Sequence, residues 1–158
     1  MKRILKIVLF ILVVGFIVIQ FINRPDKTIL AETAPDDITK HMQVPENVQN
    51  ILKRSCYDCH SSHTKWPWYS HIAPASWLVG DDVTNGRKKM NFSEWGKISD
   101  SKKEARLNEV CEQITEGEMP LPNYLILHSK AKLSKEDKDI LCRWAEEEVK
   151  KLEEKDSE

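Results

Sequence analysis

Apolar and polar positions along the chain change pattern several times. From Ile7 to Ile22 nearly every position is apolar, broken only by Gly15 and Gln20, and Lys2, Arg3 and Lys6 precede the run. Counted from Ile4, the stretch approaches the roughly 20 residues that cross a bilayer. Residues 1–22 are therefore expected to form an uncleaved transmembrane anchor, with basic residues on the inner side and the acidic remainder outside. No small-x-small cleavage site directly follows, and Ala31-Glu32-Thr33-Ala34 lies far downstream. Residues 23–44, carrying Pro25 and Pro35 among acidic side chains and ending at Pro45, show no sustained apolar period and read as an extended linker.

Helical periodicity begins after Pro45. Val48, Ile51, Leu52 and Ser55 share one face of a short predicted helix that runs into Cys56. Four large aromatics and two prolines between Trp66 and Trp77 make a poor helix and a good pocket wall. Ser101-Lys102-Lys103-Glu104 is a capping-box pattern, after which Leu107, Val110, Cys111 and Ile114 line one helical face up to Gly117. Leu133-Ser134-Lys135-Glu136-Asp137 starts a last helix with Ile140, Leu141, Trp144, Ala145 and Val149 in one stripe. Beyond Glu146 the sequence is almost wholly charged, so residues 148–158 are expected to project as a tail. The fold class is all-α, with the helical domain spanning 45–147.

The chain has 158 residues and a net charge of -1, enough for one domain and an appendage. The three basic residues near the amino terminus leave 21 basic against 25 acidic residues beyond them, and nothing points to nucleic acid as a partner. Four cysteines are too few for a disulfide scaffold.

Two of those cysteines carry the chemistry. Cys56-Tyr57-Asp58-Cys59-His60 has the C-x-x-C-H spacing of covalent haem attachment. Cysteines three apart can each add to a vinyl group on one porphyrin edge, and the adjacent His60 then offers an imidazole nitrogen to the iron. A thioredoxin-type pair would open a helix after a strand, whereas here a helix precedes the cysteines. A zinc site lacks a second pair of ligands. A carbonyl near Pro67 or Pro74 is expected to accept the other His60 N–H, and Trp66 and Trp68 are expected in the pocket wall. Arg87, Lys88 and Lys89 are candidates to pair with haem propionates or to form a solvated face. Met119, in the proline-stiffened Glu118-Met119-Pro120-Leu121-Pro122 turn, is the favoured sixth ligand, ahead of Met90, His71 and His128. His63 lies too close to His60 to reach the opposite face, and His41 and Met42 fall in the expected linker. Cys111 and Cys142, one on each of the last two helices, would either pair as a disulfide or stay free.

The order of helix, C-x-x-C-H, aromatic loop, helix, Met-Pro turn and capped final helix resembles a small class I c-type cytochrome. More closely, Cys56-Tyr57-Asp58-Cys59-His60-Ser61-Ser62, Lys65-Trp66-Pro67-Trp68-Tyr69-Ser70, Asn91-Phe92-Ser93-Glu94-Trp95 and Gly117-Glu118-Met119-Pro120 resemble the membrane-anchored bacterial haem-binding domain family. The resemblance implies thioethers at Cys56 and Cys59, proximal ligation by His60 and a distal role for Met119. The expected function is outer-sphere electron transfer by haem c with an unidentified redox partner. The protein would be a single-pass protein of the bacterial inner membrane, with the domain in the periplasm or outside the cell membrane. The alternative is a haem-based sensor or peroxidase-like enzyme with an open or displaceable distal site, in which His71 would be the acid/base.

Overall fold

The computed structural model describes residues 1–27 and 35–156, and residues 28–34 and 157–158 of the expected linker and tail, with Ala31-Glu32-Thr33-Ala34, lie outside them. The described residues form helices and 3-10 turns without a strand. The helices are α1 (Lys2–Ile19), α2 (Ile38–His41), α3 (Glu46–Ser55), α4 (Tyr57–His60), α5 (Ala75–Lys89), α6 (Asp100–Glu116), α7 (Pro122–Leu127) and α8 (Lys135–Asp156).

Helix α1 corrects the expected anchor and with it the inner-membrane location. Among the described residues no helix is long and apolar enough to cross a membrane. The helix has 18 residues, and Lys2, Arg3 and Lys6 occupy its first turns. The apolar stretch Ile7–Ile19 rises about 20 Å, short of the roughly 30 Å hydrocarbon core. Helix geometry stops at Gln20 because the chain turns back onto the domain. The Gln20 side chain accepts from Ala73 N at 2.9 Å and donates to Ala73 O at 3.3 Å. Arg24 Nε donates to the Gln20 carbonyl at 2.8 Å, and Trp77 Nε1 donates to Ile22 O at 2.9 Å. Asn23 takes a positive φ of 48° in this turn.

Residues 36–44 are part of the packed body rather than extended. Ile38 is fully buried, Gly96 N donates to Asp36 O at 2.9 Å, and Trp95 Nε1 points at Met42 Sδ at 2.9 Å. The core lies between α3, α6 and α8. Val48, Ile51 and Leu52 of α3 meet Leu107 and Ile114 of α6 and Leu141, Trp144 and Ala145 of α8. Tyr57 stacks on Phe92 at 5.2 Å, and Phe92 leans on Trp95 at 6.1 Å.

Helix α6 starts before the Ser101 capping box, with Ser99 at its N-cap. Asp100 accepts from Lys103 at 2.7 Å and from Lys155 of α8 at 2.6 Å. Gly117 ends the helix in the left-handed region at φ 83°, where a residue without Cβ is favoured. Helix α8 opens on Ser134 and Asp137, each side chain bonding the other's backbone N–H. Past Glu146 the helix continues to Asp156, with Val149 and Glu148 buried. Cys111 and Cys142 are bonded, their Cα atoms 5.0 Å apart, and join α6 to α8.

Candidate functional site

Helix α3 ends at Cys56, where φ of -124° breaks the helical path, and α4 resumes for a single turn over Tyr57–His60. His60 N and Cys59 N both donate to Cys56 O, at 2.9 and 3.2 Å, so the five-residue motif is folded on itself. Helix α5 crosses directly behind it. A Cβ at Gly86 would lie 2.7 Å from the Cys59 carbonyl oxygen, so only glycine lets the two segments approach this closely.

Cys56, Cys59, His60, Met90 and Met119 line one cavity of about 680 Å³. Its remaining walls are apolar side chains of α5 and α7, among them Leu78, Val79 and Leu127, and the polar rim includes Asp58, Tyr69, Asp82, Asn123 and Tyr124. Leu78 and Leu127 are 55% and 66% exposed. Apolar residues left open around a concave space of this size suit a large flat apolar group.

His60 Nδ1 donates to the Met90 carbonyl at 3.1 Å. This replaces the expected Pro67 or Pro74 acceptor, because those carbonyls close local turns: Pro67 O accepts from Ser70 and Pro74 O from Trp77. With Nδ1 committed, Nε2 is the nitrogen left for a metal. Burial pulls the His60 pKa down, against the opposing hydrogen bond to Met90, and favours the neutral, ligating imidazole. Burial pushes the Cys56 thiol up to about 12, helped by the neighbouring Cys59, and Cys59 up to about 11, helped by Asp58 and Asp82. Thiols held protonated are poor redox nucleophiles, which weighs against a thioredoxin-type role. Among the described residues no group of three or more His, Cys, Asp or Glu side chains is placed to hold a metal, as a zinc site would need.

Several candidates stand elsewhere. Trp66 and Trp68 do not line the cavity: the 3-10 turn Trp68–His71 sends Trp68 to the surface, 76% exposed, and presents Tyr69 inward. Trp66 packs under Lys27, whose Nζ is 5.2 Å from its ring centroid. His71 is exposed, with Nδ1 3.0 Å from Lys27 Nζ, and does not line the cavity. His128 stacks on Tyr124 at 4.0 Å without lining the cavity. His41 reaches the Pro35 carbonyl, and the buried His63 ring nitrogens have no partner among the described residues. Arg87 braces the loop after the C-x-x-C-H motif, donating from Nε to Ser61 O and from Nη2 to Thr64 Oγ1, both at 2.9 Å. The cations that do line the cavity are Lys65, Lys89 and Arg106. Tyr69 is the member of the expected aromatic wall that does reach the cavity, whereas Asp58, Asn123 and Tyr124 were not singled out in the sequence, since tertiary contact alone brings them to the rim.

A family model described as a haem-binding domain matches residues 14–147. The chain belongs to the haem-binding domain family. No curated protein and no solved structure matches it. The matched range covers every haem-binding-domain residue at the cavity, so haem is the group for which these walls, the neutral His60 and the open Leu78 and Leu127 are suited.

Proposed function

We propose that the chain holds haem c covalently and works as an outer-sphere electron carrier. The observation behind this reading is that Cys56, Cys59, His60 and Met119, drawn from positions up to 63 residues apart in sequence, line the same cavity. Each thiol would add its S–H across one vinyl double bond, sulfur to one carbon and hydrogen to the other, so that no oxidant is required. His60, oriented by Met90 O, would be the proximal ligand through Nε2, and the Met119 thioether the distal one. Bound haem supplies one-electron chemistry. The protein's own part is to orient the ligands, to exclude water with Leu78, Val79 and Leu127, and to set charge at the rim. Lys65, Lys89 and Arg106 would offset the propionate carboxylates.

The test is haem retention. Matured in a host that assembles c-type cytochromes, denatured and extracted with acidified acetone, the protein is expected to keep its haem and to give a pyridine haemochrome spectrum of two saturated vinyl groups. Loss of all haem would sink the covalent reading. Met119→Ala is expected to abolish the near-infrared sulfur-to-iron charge-transfer band and to admit carbon monoxide to the reduced protein. A band that persists would remove Met119 from the ligand set. Rapid carbon monoxide binding by the unaltered protein would favour the sensor or peroxidase-like alternative.

A further inference from the structure

Met119 itself packs against the hydrophobic core and its N–H donates to Gln113 O at 3.2 Å, but the flanking Gly117 and α7 have little apolar anchorage. Gly117 turns the chain in open space, and α7, which follows the Met-Pro turn, buries no residue. Polar ties hold this segment instead. Tyr124 Oη donates to Asp58 Oδ2 at 2.7 Å, across 66 residues of sequence. One residue earlier, Asn123 lines the same cavity as Asp82 of α5.

Asp58 is one of the two residues between Cys56 and Cys59, next to Cys59. Its Oδ1 accepts from Lys65 N at 3.1 Å and its carbonyl accepts from Thr64 Oγ1 at 2.7 Å, while Thr64 is in turn held by Arg87. The carboxylate is thus a fixed post. Tyr124 meets it with a ring already stacked on His128, whose nitrogens lie 3.5 Å from Tyr69 Oη. Burial and the Asp58 charge push the Tyr124 phenol well above its usual ionisation range, which keeps it a donor.

We propose that Tyr124 is a positioning residue whose hydrogen bond to Asp58 latches the Met119 turn onto the haem-attachment segment and so keeps the distal side of the cavity closed. The inference rests on the reading of Met119 as the distal residue. A hydrogen bond from a neutral donor to a carboxylate is strong enough to change a local opening equilibrium by tenfold or more.

The test uses the haem-loaded full chain with Tyr124→Phe, which removes one oxygen and leaves the stacked ring. Two readouts are expected to move together. Amide exchange over residues 118–127 should accelerate by about tenfold or more, and so should carbon monoxide association with the reduced protein. Asp58→Asn, which keeps an acceptor oxygen, should stay closer to the unaltered protein than Asp58→Ala does. Asp58→Ala serves in place of Tyr124→Phe if the latter does not fold. Unchanged exchange and unchanged carbon monoxide kinetics in the phenylalanine variant would overturn the latch. Absence of the sulfur-to-iron band in the unaltered protein would instead overturn Met119 ligation, and amide exchange would still decide the latch.

Discussion

Gly86 shows how one missing methyl group permits a site. Any Cβ there would press on the Cys59 backbone, whose oxygen lies 2.7 Å away and whose carbonyl carbon lies 3.1 Å away. Backbone cannot swing aside as a flexible side chain can, so Gly86→Ala is expected to push α5 off the C-x-x-C-H motif. The cost should be about 1–3 kcal/mol, the range for overpacking, with a lower yield of covalently attached haem. Urea denaturation and the haemochrome assay check the two effects separately. At the same scale, Asp58 was visible in the sequence only as filler between the cysteines, and Tyr124 as one aromatic in a short apolar run. Their roles arise because folding brings them together.

Among the elements, α6 and α8 form the frame on which the Met119 turn is mounted, and two ties fasten them. The Cys111–Cys142 bond closes a sequence separation of 31 residues. Replacing both cysteines with serine is expected to lower stability by about 2–4 kcal/mol, measured by denaturant titration with and without reductant. Asp100 supplies the second tie. Hydrogen bonds from Lys103 and Lys155 hold its carboxyl pKa at about 2, below the ordinary 3.8. A carboxylate with a depressed folded pKa stabilises fully above its unfolded value and loses that contribution as pH falls through the folded one. Asp100→Asn should therefore destabilise at pH 7 by roughly 1 kcal/mol or less, since solvent screens the pair. The difference should fade as pH falls from about 4 to 2, which thermal melts across that range would check.

Helix α5 and helix α7 were not predicted from the pattern of residues. Gly80 and Gly86 lie within α5, and the buried positions Ser76, Gly80 and Val83 do not make an apolar stripe. Helix α7 is six residues long and buries none. By contrast, α3 and α8 carry dense apolar faces, and both formed where periodicity placed them.

At the scale of the whole molecule, α1 stands apart from the body it leads into. None of its residues is buried, whereas Gln20, Ile22 and Lys27 beyond it bond to the domain. A chain beginning at Gln20 is expected to keep its thermal midpoint and haem content, with stability changed by no more than about 0.5 kcal/mol, the scale of changes away from buried contacts. Loss of haem or a clear fall in the midpoint would show that α1 contributes to the domain.

The sequence by itself determined the C-x-x-C-H motif, the class of cofactor, the all-helical character and the two best-packed helices, because these rest on local spacing: two residues between cysteines, the next position for histidine, and a 3.6-residue period for buried faces. Tertiary structure alone decided which carbonyl holds His60, which aromatics face the cavity, where the first helix stops and what fastens the Met119 turn. Each of these depends on a contact between residues distant in sequence, such as Met90 with His60 or Tyr124 with Asp58. No local pattern records such a pairing, since the geometry exists only once the core of α3, α6 and α8 has closed.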